Sequence, residues 1–103
     1  MRDRSKKSDF ELLKLLKRHD DSSAFEEIYN RYWSKLYDAA FKRVRCTEAA
    51  AEIVQQVFTS IWQQRREIDE RTVLAANLLA FTRYHVIDRL QHKLWKRTGI
   101  PKQ

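Results

Sequence analysis

The chain has 103 residues, with 21 Lys and Arg against 14 Asp and Glu and a formal net charge of +7; that is enough for one domain with one modest core. Glycine and proline occur once each, at Gly99 and Pro101, which excludes a turn-rich β fold and predicts an all-α domain with polar connections. A single cysteine, Cys46, excludes an intrachain disulfide and suits a reducing compartment, while the lack of any apolar run near ~20 residues, or of a hydrophobic leader after the basic N-terminus, argues against membrane insertion and for a cytoplasmic protein.

Residues 1–8 hold four basic residues and one acidic one, and this segment is expected to be disordered. Asp9 can cap a short helix carrying Phe10, Leu12, Leu13, Leu15 and Leu16, which ends at His19, Asp20 and Asp21. Ser22 or Ser23 then caps a second helix, Ser23 and Glu26 having the spacing of a capping box. This helix runs to about Arg45 with Phe25, Ile28, Tyr29, Tyr32, Trp33, Leu36, Tyr37, Ala40, Phe41 and Val44 in steps of three and four, the spacing of a core-facing stripe.

Thr47 is the expected cap of the third helix, about residues 48–66. Ala50, Ile53, Val54, Val57, Phe58 and Ile61 form its apolar stripe. Glu52, Gln55, Gln56, Thr59 and Gln63 form a second stripe that is polar but carries one charge. Two readings of that stripe stand side by side. A Gln-rich face can hydrogen-bond a protein partner without the cost of burying charges, and Gln is also an ordinary helix former on a plain surface.

Arg65 to Thr72 reads as a charged loop, and the fourth helix runs from about Val73 to Arg97, roughly 37 Å at about 1.5 Å per residue. Residues 79–103 hold six basic residues and one acidic one, whereas residues 9–78 are nearly balanced. A basic excess gathered at one end suits a polyanion partner. On a helical wheel Leu79, Val86, Ile87, Leu90 and Leu94 share a face, with Arg83 among them, and that face is expected to pack on the bundle. Phe81, Tyr84, His85, Asp88, His92 and Trp95 fall on the other side, flanked by Arg89, Lys93, Lys96 and Arg97. Exposed rings edged by cations suit unpaired nucleic-acid strands, whose bases stack and whose phosphates attract; Phe81 and Tyr84 could equally touch a neighbouring helix. His85, Asp88 and His92 share metal-ligand spacing, but no further ligand completes a site and the nearby cations oppose one. No nucleophile–base pair or phosphate-cradling glycine loop is present, so no catalytic residue, cofactor or enzymatic activity is expected.

Three segments in order carry a resemblance. AFEEIYNRYWSKLYDAAF (Ala24 to Phe41), AAEIVQQVFTSIW (Ala50 to Trp62) and NLLAFTRYHVIDRLQ (Asn77 to Gln91) together resemble region 2 of bacterial RNA polymerase sigma factors of the extracytoplasmic-function class. The chain departs from that pattern at Ala51, usually acidic, at Asn77, often aromatic, at Tyr84, often Asn, and at Gln91, usually basic. The resemblance covers about residues 9–97. It implies a compact bundle of three long helices plus a short N-terminal helix, with a domain over 9–98, a tail over 99–103, and the family's promoter-reading region 4 absent from this sequence. It further implies that Glu52, Gln55, Gln56, Thr59 and Trp62 dock on the clamp helices of the polymerase β′ subunit. Arg65, Arg66, Arg83, Tyr84, His85, Arg89, His92, Lys93, Lys96 and Arg97 would then hold the single-stranded non-template minus-ten element of promoter DNA, with the Arg65–Thr72 loop forming part of a pocket for a flipped base. An anti-sigma factor would be a further partner. A helical protein-interaction module with a basic tail and no sequence-selective DNA binding is the alternative.

Overall fold

A computed structural model describes residues 3–98, with side chains over 3–92. Four helices follow in order, α1 (Asp9–His19), α2 (Ser22–Val44), α3 (Thr47–Gln63) and α4 (Leu74–Thr98), and no strand occurs among the described residues. The all-helical expectation and the pattern of one short and three long helices therefore hold.

The helix starts are set by other residues than those expected. Ser8, one position before Asp9, caps α1: its hydroxyl accepts from the Glu11 amide and the Glu11 carboxylate accepts from the Ser8 amide, a reciprocal box that satisfies two orphan donors. Asp21, not Ser22 or Ser23, caps α2, its Oδ1 accepting from the Ala24 amide at 3.0 Å. Cys46 occupies the cap position of α3 with no side-chain hydrogen bond, and Thr47 is already helical. Asp20 and Arg45 close α1 and α2 at φ 48° and 55°, the left-handed closure glycine usually supplies; Asp is among the residues that tolerate it best. The segment expected to lack order carries contacts of its own, with Arg4 pairing to Asp21 at 2.5 Å and the Ser5 carbonyl accepting from Arg31.

The core is one cluster. Leu12, Leu13 and Leu16 of α1 meet Ala24, Ile28, Tyr32, Leu36 and Ala40 of α2, the α3 stripe of Ala50, Ile53, Val54, Val57, Phe58 and Ile61, and Leu74, Leu78 and Val86 of α4. The remaining α2 aromatics, Phe25, Tyr29, Trp33, Tyr37 and Phe41, are half-buried against it. Trp33, Tyr37 and Phe41 stack one above another at ring separations of 5.0 and 6.1 Å, the arrangement expected of residues four apart.

The packing face of α4 is the main correction. Of the face expected to pack, Val86 is buried, but the inward column is otherwise Leu74, Leu78 and Thr82, whereas Leu79, Ile87 and Leu90 are 39 %, 55 % and 41 % exposed and Arg83 is exposed beside them. The inward face thus lies about 100° round the helix from the aliphatic one. α4 fits between α2 and α3, and its buried column includes Thr82, whose hydroxyl donates to the Leu78 carbonyl at 2.8 Å and so is satisfied within the helix. A search for the most aliphatic stripe passes over such a column. Leu94, placed with the packing face, and Trp95, placed on the ring face, lie outside the described side chains.

Candidate protein and nucleic-acid interface

The apolar stripe of α3, Ala50, Ile53, Val54, Val57, Phe58 and Ile61, is turned into the core, so helical geometry sends Glu52, Gln55, Gln56, Thr59 and Gln63 outward, and all five are exposed. The first four, with Ser60 and His85, border an open hollow of about 420 Å³. A second hollow of about 400 Å³ lies next to it, bordered by Ser60, Gln64, Ala80, Phe81, Tyr84 and His85. Ser60 and His85 belong to both. The Ser60 hydroxyl and His85 Nε2 lie 3.4 Å apart and form the wall between the two hollows. The α3 stripe and the ring-bearing side of α4 are therefore parts of one continuous surface.

Tyr84 dominates the second hollow. It is 64 % exposed, unusual for a large aromatic, and stands edge-on to His85 with ring centroids 5.2 Å apart. Phe81 is half-buried and packs on the core, so of the two rings weighed between neighbour and solvent, Phe81 takes the neighbour and Tyr84 takes solvent. Asp88 and His92 are exposed. Among the described residues no group of three His, Cys, Asp or Glu side chains is placed to hold a metal ion.

Arg89 reaches across to α3 and donates to Glu52 at 2.7 Å. This links a residue assigned to DNA with one assigned to a protein partner. The pair is exposed, so it contributes at most about 1 kcal/mol to stability and can be exchanged for a phosphate at little cost. Arg83 faces the other way, into a groove between α2 and α4, and does not join Tyr84, His85 and Arg89. Lys93, Lys96 and Arg97 lie outside the residues whose side chains are described.

The Arg65–Thr72 loop is fastened to the end of α1. Lys17 Nζ donates to the carbonyls of Arg66 and Ile68 at 2.8 and 2.6 Å, Arg18 forms a bidentate pair with Glu70, and Ile68 is buried. Asp20 accepts from both Arg65 and Arg66, at 2.8 and 2.6 Å. Those two guanidiniums, Arg66 first, hold the Asp20 carboxyl down to about 2. Arg65 also lies 4.1 Å above the Trp62 ring, and Trp62 in turn packs edge-on against Phe25 at 5.2 Å. Trp62 is thus a half-buried support for the loop, one turn beyond Thr59 on α3 and outside the lining of the two hollows. Arg65 and Arg66 are already engaged by a carboxylate.

The surface brings together Glu52, Gln55, Gln56, Thr59, Tyr84, His85 and Arg89. Trp62, Arg65, Arg66 and Arg83 do not line the two hollows. Ser60 and Gln64, the residue that ends α3, enter the surface unannounced by the sequence, because the hollows they border are completed by α4. Asp20, Lys17 and Arg18 hold the loop across a separation of about fifty residues, which leaves no local signal. Compared with known protein families, characterised proteins and solved structures, the chain matches none.

Proposed function

We propose that this domain is a transcription-initiation module of the sigma region 2 kind. Its α3 stripe, Glu52, Gln55, Gln56 and Thr59, docks on the β′ clamp helices of a bacterial RNA polymerase. The hollow beside Tyr84 and His85 receives a base of the unpaired non-template minus-ten strand. The observation that carries this reading is the continuity of the two hollows across Ser60 and His85, which lets a strand and a protein partner be held side by side. An exposed Tyr flanked by a His ring and a Gln amide offers a stacking face and hydrogen bonds, the two means by which unpaired bases are gripped.

The energetics follow from that geometry. Unpairing and flipping a base costs a few kcal/mol. Stacking returns about 1–3 kcal/mol per base, and each phosphate contact adds a salt-dependent increment. Capture of a transiently open strand therefore shifts the duplex toward the melted state with no nucleotide hydrolysis and no catalytic group.

The pairing of Arg65, Arg66 and Arg89 with carboxylates favours a second reading, a helical protein-interaction module without sequence-selective DNA binding. Fluorescence anisotropy of a labelled single-stranded promoter oligonucleotide, with and without a β′ clamp-helix fragment, separates the two. Strand binding that is sequence-selective and strengthened by the fragment supports the initiation module. A clamp-helix complex with no strand affinity supports the second reading, and binding of neither ligand removes both partners.

A further inference from the structure

The side of α4 turned toward α2 carries a groove that the initiation reading does not use. Leu79, Ile87 and Leu90 floor it, all more than a third exposed, and Lys42, Arg43 and Arg83 stand along its edges. Its volume is about 430 Å³, and from Leu79 to Leu90 it follows α4 for about 16 Å at about 1.5 Å per residue. Three large aliphatic side chains share the one groove and give it an apolar floor. Every charged side chain lining it is cationic, and among the described residues none of the three cations is paired with a carboxylate.

We infer that this groove binds an acidic amphipathic helix of a protein partner, with apolar side chains seated on Leu79, Ile87 and Leu90 and carboxylates facing Lys42, Arg43 and Arg83. The charge pattern selects this occupant. A second copy of the chain would bring net charge +7 and the same cationic rim against itself, which like-charge juxtaposition opposes. A nucleic-acid strand would find phosphate contacts at the rim but an aliphatic floor, with no ring to stack on and no donor for a base edge. A helix presenting apolar residues at i, i+4 and i+7 with Glu or Asp beside them meets both the floor and the rim. The inference stands apart from the initiation reading, since the groove shares no side chain with the α3 stripe or the Tyr84 hollow.

Selection from a displayed library of random peptides about 15 residues long, against the full chain, tests it, with Ile87→Asp and Arg83→Glu as counter-targets. Ile87 and Arg83 are exposed, so both variants keep the helical circular-dichroism signal of the parent. The expected result is enrichment of sequences with helical apolar spacing and net negative charge. Their synthetic versions should lose at least about tenfold in affinity against either variant, while Tyr84→Ala leaves them unaffected. Enriched peptides that bind Ile87→Asp as well as the parent would overturn the inference, as would a neutral or basic consensus. Self-association of the parent in sedimentation, abolished by Ile87→Asp, would assign the groove to a second copy and overturn it as well.

Discussion

The two sides of α4 make opposite use of the same helix. Toward α3, rings and cations are tied to neighbours: His85 to Ser60, Tyr84 to His85, Arg89 to Glu52. Toward α2, aliphatic side chains lie open beside cations that have no carboxylate partner among the described residues. The contrast shows why composition alone misleads on a helix between two neighbours. Burial follows the column that fits, Leu74, Leu78, Thr82 and Val86, and Leu79, Ile87 and Leu90 of the aliphatic stripe are left outside, which a folding domain tolerates only at the cost of exposed apolar area.

The largest effect separates the buried column from the open one. Leu78→Ala should cost about 2–5 kcal/mol in urea unfolding, whereas Ile87→Ala should stay within about 0.5 kcal/mol of the parent. Equal costs would mean that α4 packs through its aliphatic face after all. Next in size, Tyr84→Ala should weaken single-strand binding by about 1–3 kcal/mol, roughly 5- to 150-fold in Kd, with unfolding unchanged within about 0.5 kcal/mol. Leu90→Ala, on the opposite side, should leave strand binding alone.

Smaller effects sharpen the charge contrast. Arg89→Ala should lower the salt slope of strand binding by about 0.7, the increment for one phosphate contact to a single strand, and Arg83→Ala should leave that slope unchanged. The smallest effect is a titration. The Asp20 carboxyl sits at about 2 in the folded chain against roughly 3.9 in an unfolded one. Its contribution to holding the loop is therefore complete above about pH 4 and lost as the pH falls through about 2. In Arg66→Ala the carboxyl should titrate closer to its ordinary value, as followed by carboxyl-carbon NMR; an unmoved midpoint would break the assignment of Arg66 as the main cause.

Much of the fold was legible because its signals are local. The α3 stripe, Ala50 to Ile61, has strict three- and four-residue steps and is buried residue for residue. The outward Gln stripe follows from the same steps. The caps missed by one position at Ser8 and Asp21, since neighbouring Ser and Asp side chains compete for the same orphan amides. Tertiary choices were not legible. The phase of α4 depends on its fit between two helices, the support role of Trp62 depends on Phe25 and Arg65, and the neutralisation of Arg65 and Arg66 depends on where α1 ends. None of these leaves a periodic trace in the residues themselves.

The most direct measurement is an NMR footprint of a single-stranded minus-ten oligonucleotide on the intact chain. The account predicts that resonances of Ser60, Gln64, Tyr84, His85 and Arg89 shift together while those of Leu79, Arg83, Ile87 and Leu90 stay in place. Shifts confined to the α2-facing groove, or none on the ring-bearing side at saturating strand, would contradict it.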